Sequence, residues 1–445
     1  MDQTMRRLFI AAIIVVTIGT LQGSLAIAAE RTEVVFWHFW GGRDRPIVEQ
    51  IVKGFNESQD HYEVRPIAMA GSNLDVKFLL SVAGGDPPDL LNHDDPVVGD
   101  WAHHGILTPL DKLAPPDEIQ RLNKWLFPAA RELGAVNGRL FALCNGLDIR
   151  ALYCNRTLLD EHGLQLPATL EDLDDIAETI SPAADSLGRN QMGYLPDPRR
   201  LWAWGIVFGG QFSDPAGTIT ADDPKIISAL SWMADFSRRY GSSEVAAFRS
   251  GEQALTGAAF PLLANRRYAV VMDGQWRIRD VAEAADAAER NGTQADEIAV
   301  VPLPPPPGGV ANAGWVNGNF FVVPQGARQK PGAWEFMKYW MGFSGNEVGA
   351  AEACAAGGWI PASQEIVDQA PYQKELQEQP LLREFVSLAA SPYQRPVPNL
   401  PVSSFYYQEV VRAAQQVMYR GADPQKELQA AAERVRQRLR EVVDE

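Results

Sequence analysis

Apolar and polar positions change period repeatedly along this chain, and the changes mark its elements. Glu33–Trp37 is an apolar, β-rich run. Asp44 with Pro46 then suits a helix start, and Ile47, Ile51 and Phe55 recur at helical spacing. Tyr62–Met69 predicts a second strand. Leu74–Ala83 predicts a helix stopped by Gly84-Gly85 and Pro87-Pro88, and Asp89–Asn92 a short third strand. This βαβαβ order predicts a parallel sheet with helical crossovers. Val136-Asn137-Gly138-Arg139 reads as a hairpin turn ahead of strands at Leu140–Leu143 and Ala151–Tyr153.

Farther on the chain turns helical. Asp172–Ile180 has an acidic helix start, and Ile226–Tyr240 carries Ile227, Leu230, Met233 and Phe236 near helical spacing. Strands are predicted at Tyr268–Met272, Ile298–Val301 and Phe320–Val323. The proline-rich stretch Pro302–Gly309 reads as a stiff extended connection. From Gly332 the pattern is largely helical, ending in a charged amphipathic helix from Pro424. The expected class is α/β.

Composition narrows the function. Of 445 residues, 46% are hydrophobic and 22% charged, a globular balance, and the net charge of −16 argues against nucleic acid as a partner. Arg6 and Arg7 precede the short apolar run Leu8–Ile18, and Ala26-Ile27-Ala28 supplies small residues for cleavage. Residues 1–28 therefore read as a cleaved signal peptide, with a periplasmic mature chain starting near Ala29. The 3 cysteines leave two readings open: a disulfide between Cys144 and Cys154, or free buried thiols. The six histidines are dispersed, no metal or cofactor is expected, and no nucleophile-elbow, P-loop or dinucleotide motif is present.

In an open parallel sheet, ligands bind beyond the carboxyl ends of the strands. The residues expected there are Trp37, His38, Trp40 and Arg43 after the first strand, and His93, Asp94 and Asp95 after the third. Trp202, Trp204, Trp276, Trp315 and Trp359 stand in loop-like context among 12 tryptophans. Flat indole surface suits the C–H face of a pyranose, and carboxylates, amides and an arginine suit its hydroxyl rim. The binding set is completed by Asn145, Asp148, Arg150, Asp273, Gln275 and Asn317. Trp40, Trp276, Trp315 and Trp359 are expected as stacking surfaces. Two other readings are weaker: Asp94 with Asp148 as a glycosidase acid/base pair, and Tyr406-Tyr407 as ligands to ferric iron, or another solute such as a phosphorylated ligand.

Several segments together resemble the sugar-binding branch of the extracellular solute-binding proteins of ABC transporters, the maltose-binding-protein family. They are VVFWHFWGG at 34–42, LLSVAGGDPPDLL at 79–91, WAHHGILTPLD at 101–111, VNGRLFALCNGLDIRALYCNR at 136–156 and PATLEDL at 167–173. YAVVMDGQW at 268–276, VVPLPPPPGG at 300–309 and GGWIPAS at 357–363 complete the set. The chain departs from the family pattern at Cys144, where proline is common, and at His93-Asp94-Asp95. The resemblance implies a two-lobed binding-protein fold with a central cleft and crossing hinge strands. It assigns 29–143 and 303–321 to an N-terminal lobe, 144–149, 299–302 and 322–325 to hinge strands, and 150–298 and 326–445 to a C-terminal lobe. It also implies a non-enzymatic protein that passes a sugar or oligosaccharide to ABC permease subunits, and the acidic surface with lobes that must move freely adds the expectation of a monomer.

Overall fold

The computed structural model describes residues 31–69, 73–94, 96–181, 191–253, 263, 265–343 and 345–444. The expected leader, residues 1–28, and Asp95 lie outside the described residues.

Strands β1 (Thr32–His38), β2 (Tyr62–Ala68) and β3 (Leu90–His93) are joined by the helices Arg45–Ser58 and Leu74–Ala83. β1 pairs in parallel with both β2 and β3, because a helical crossover returns each strand to the same end of the sheet. The hairpin β4 (Ala135–Val136) to β5 (Arg139–Leu140) turns on Asn137 and Gly138, with φ of 51° and 77°. Both residue types tolerate the left-handed region that a two-residue hairpin turn demands. β6 (Ala142–Asp148) follows and passes through Ile149 alone into β7 (Arg150–Asn155). Then come β8 (Met192–Tyr194), β9 (Tyr268–Gly274), β10 (Ile298–Val301), β11 (Gly314–Trp315), β12 (Asn317–Val322) and the late β13 (Gln394–Arg395).

Two larger sheets result, in the orders β2-β1-β3-β12-β6 and β10-β7-β9-β8. β12 runs antiparallel to both of its neighbours. β6 and β7 are consecutive yet belong to different sheets, so Ile149 marks a crossing. The first sheet buries Val34 and Phe36 beneath Val48, Ile51, Val52 and Phe55 of Arg45–Ser58. Each such large side chain contributes about 1.5–3 kcal/mol by leaving water. Gly134 ends the helix Pro128–Gly134 hard against β6: a Cβ there would stand 2.0 Å from the Ala142 carbonyl oxygen. The second sheet is covered by helices that include Pro224–Tyr240 and Pro380–Ala389, with Phe385 on Tyr153 at 5.6 Å between ring centres.

One expectation changes. The helix Lys330–Met341, expected in the second lobe, packs on the first sheet. Phe336 and Trp340 stand 5.4 and 6.0 Å from Phe36, and Phe336 stands 5.2 Å from Phe55. Farther on, Ile360 still forms an isolated antiparallel bridge with Leu147 of β6. An apolar stripe specifies that a helix is buried, not which of two similar sheets it covers. Cys144, Cys154 and Cys354 are free and buried, so β6 and β7 carry thiols and no disulfide. Among the described residues no helix is long and apolar enough to cross a membrane.

Candidate functional site

The candidate site forms where the crossing segment meets the ends of β9 and β12. Asp148 pairs in register with Asn317, and Arg150 with Gly274. Gln275, just past β9, clamps the crossing. Its Nε2 donates to the Leu147 carbonyl at 3.0 Å and to Asp148 Oδ1 at 2.8 Å, and its Oε1 accepts from Ile149 N–H at 3.1 Å. One buried side chain thus satisfies two backbone groups at the crossing and one carboxylate oxygen. Asp148 keeps part of its surface open, yet it sits among enough protein that burial raises its pKa, against the charge of Arg150 and the bond from Gln275.

From this point an alternating chain of charges runs outward. Arg200 meets Asp273 at 3.2 Å, Asp273 meets Arg277 at 2.9 Å, Arg277 meets Asp280 at 3.0 Å, and Asp280 meets Arg43 at 2.7 Å. Arg43 also reaches Glu283 at 2.5 Å, and Asp44 beside it accepts from Arg279 at 2.6 Å. Arg43 and Asp44 follow β1, whereas Asp280, Glu283 and Arg279 lie on the helix Arg277–Arg290 after β9. These pairs tie the two sheets' surroundings together at one edge. Arg43 is 40% exposed and Asp280 10%, so each pair contributes a modest amount, about 1 kcal/mol. Arg43→Ala should leave the fold intact and weaken ligand affinity by roughly fivefold if the closed arrangement is the binding one. Scattering should then show a larger radius for the ligand-free variant. An unchanged radius and affinity would exclude a role for the pairs in closure.

Aromatic rings occupy the same junction. The Arg150 guanidinium lies 5.1 Å from the ring centre of half-buried Trp276 and 4.3 Å from that of Trp315. Trp315 in turn stands 5.9 Å from Tyr407, which stacks on Trp202 at 6.2 Å and 13°. A second group lies on the first sheet. Trp40 stacks on Trp340 at 5.2 Å and on Trp359 at 5.5 Å, and only Trp359 of the three remains half-buried.

The sequence-expected residues separate by place. Arg150, Asp148, Asp273, Gln275, Trp276, Trp315 and Asn317 gather at the junction, with Asn317 donating to the Asp94 carbonyl at 2.6 Å. Trp37 and His38 lie inside β1, not beyond it, and Trp37 is half-buried while His38 is 2% exposed. Trp202 and Trp204 lie in the helix Leu201–Val207 with no exposure, so their loop-like context is corrected to a core helix. Asn145 accepts from Asn92 at 3.0 Å inside the first sheet. His93 bonds to Asp75. Tyr406 is buried and donates its hydroxyl to the Phe212 carbonyl at 2.5 Å, which commits that phenol to the fold and separates it from Tyr407. Sequence reading missed Tyr407 as a junction ring, Trp340 as a stacking partner, and Arg199 and Arg200. The arginines follow Asp197, whose carboxylate caps the short helix Pro198–Arg200 and pairs with Arg199 at 3.0 Å. Burial would raise the Asp197 pKa, but the Arg199 bond and the charges of Arg249 and Arg200 outweigh it and hold this carboxyl well below the usual range. The Asp-Pro-Arg-Arg run was the available signal.

Comparison with known proteins adds the following. A family model described as bacterial extracellular solute-binding protein matches residues 42–342. The chain is 21% identical over 377 residues to a maltotriose-binding protein of Pyrococcus abyssi, covering 82% of this chain and 73% of that one. Among solved structures, one described as CpMnBP1 with mannotriose bound superposes with a TM-score of 0.74 at 22% identity, covering 91% of this chain and 100% of that one. The sugar-binding protein MalE of Xanthomonas citri gives 0.70 at 18%, covering 93% and 98%. These likenesses establish the two-lobed α/β fold of such proteins.

Proposed function

The chain belongs to the bacterial extracellular solute-binding proteins, and from that premise we propose that it captures a sugar or oligosaccharide between its lobes for an ABC importer. Proteins of this family bind; they are not enzymes. The observation that carries the sugar reading is the junction itself. Half-buried Trp276 and Tyr407 offer flat apolar surface around the buried ring of Trp315, beside Asp148, Arg150 and Asn317, the pairing of ring faces with hydrogen-bonding groups that a saccharide needs. The relatives that bind maltotriose or mannotriose support the same class.

In this reading one lobe comprises 31–148 and 314–357 and the other 150–301 and 363–444, with crossings at Ile149, 302–313 and 358–362. Closure around the ligand is a population shift between open and closed arrangements, and the closed form is what the permease subunits receive. The protein works as a periplasmic monomer after removal of residues 1–28.

A thermal-shift screen tests this directly. A saccharide at about 100 times its Kd should stabilise the protein by about 2.7 kcal/mol and emerge unchanged from prolonged incubation. Turnover of the saccharide, or stabilisation by none of a broad panel of oligosaccharides, would exclude the reading.

A further inference from the structure

Arg150 is only 6% exposed, yet among the described residues no carboxylate is paired with it. Its guanidinium lies between two indoles and donates from Nη1 to the backbone carbonyl of Asp148 at 2.6 Å. Its Nε is sealed from solvent with no partner. The acids around it are committed elsewhere. Asp273 takes Arg200 and Arg277, at 3.2 and 2.9 Å, and Asp148 Oδ1 takes Gln275 at 2.8 Å. Arg200 lies close by, 8% exposed, and its Nε also lacks a partner. A buried guanidinium with no direct ion pair, whose nearest carboxylates Asp148 and Asp273 bond to other donors, is costly. Here burial first, and repulsion from Arg200 second, pull the Arg150 pKa down to about 10, against the opposing charges of Asp148 and Asp273. Two guanidinium groups thus hold unsatisfied donors at the point where the sheets meet.

We propose that the saccharide bound at this junction carries a carboxylate, as a uronic acid does, and that Arg150, assisted by Arg200, receives it. The proposal rests on the saccharide reading above and narrows it to acidic sugars. A carboxylate presents two coplanar oxygens that match the guanidinium fork. It also brings one negative charge. A phosphate monoester brings nearly two, and would meet Asp148 and Asp273 across the same space. The indoles on either side of Arg150 exclude water, which strengthens the pairing.

The test compares ligands of matched length that differ in charge. Calorimetry on the whole mature chain would measure affinities for glucuronate- and galacturonate-containing oligosaccharides, their neutral counterparts, and hexose phosphates. The acidic sugar should bind at least about tenfold more tightly than its neutral counterpart, and added salt should shrink that preference. Arg150→Met should abolish the preference, and Arg150→Lys should retain part of it, because the charge stays while the fork is lost. The wild-type comparison stands by itself where a variant does not fold. Equal or tighter binding of neutral sugars overturns the carboxylate and leaves saccharide capture standing. Tighter binding of a hexose phosphate than of the uronate overturns it in favour of phosphate. Binding of no saccharide, acidic or neutral, overturns both this proposal and the sugar reading.

Discussion

Trp40→Ala should lower the stability of the folded protein by about 3–5 kcal/mol, the cost of removing a large buried aromatic and leaving a cavity. Trp40 is 5% exposed. Its ring stacks on Trp340 at 16° and on Trp359 at 27°, with Phe39 at 5.0 Å and His38 at 6.2 Å. Neighbours on both elements fix those rings, so the hole would collapse only partly. Trp276→Ala should behave differently. That indole is half-buried over Arg150, and its loss should weaken ligand binding more than it lowers stability. Urea unfolding of both variants, read beside saccharide affinity, decides the matter. A Trp40→Ala protein as stable as the parent but unable to bind would make Trp40 a ligand platform after all.

The fold was legible wherever one period held for long enough. Leu74–Ala83 and Ile298–Val301 coincide with the helix and strand found, because Gly-Gly and Pro-Pro stop the first and the proline run bounds the second. The Asn137-Gly138 hairpin was equally plain, since few residue pairs tolerate that turn. The affiliation of Lys330–Met341 was not legible. Its buried face, with Trp334, Phe336, Met337 and Trp340, fits any apolar sheet, and only tertiary packing selects Phe36 as its partner.

The junction was legible residue by residue but not as an arrangement. Arg150, Trp276 and Trp315 each stood out beside a strand or a glycine, yet they are separated by more than a hundred residues or by a strand and a helix. Nothing in the pattern says that the guanidinium lies between the two rings. Trp202 and Trp204 misled because the short helix Leu201–Val207 is buried along its whole length. A helix without a polar face has no amphipathic period to announce it. The pairs of Arg43 with Asp280 and of Asp44 with Arg279 join positions more than 230 apart in sequence. Such pairs follow from topology, and charge patterning within either segment carries no trace of them.

His38 provides the second large effect, on pH dependence. It ends β1 at 2% exposure with Nδ1 unpartnered. Burial first, and the positive charge of Arg45 second, lower its pKa from 6.5 to about 4, against an opposing pull from Glu49. The folded state therefore holds a neutral ring where the unfolded chain holds a charged one. Between pH 6.5 and about 4 the unfolded chain binds more protons, so stability falls as pH falls through that window. Fully developed, a shift of this size corresponds to roughly 3 kcal/mol. Above pH 6.5 the ring is neutral in both states and contributes no slope. Asp148, whose carboxyl is raised by burial, works in the opposite direction, but it is common to parent and variant and cancels in their difference. The stability of His38→Gln should accordingly decline less steeply than the parent's across the window, and the two urea midpoints should converge or cross as pH falls. Parallel profiles between pH 6.5 and about 4 would mean that His38 is protonated in the fold at its ordinary pKa, and that the ring is not sealed beneath Trp40.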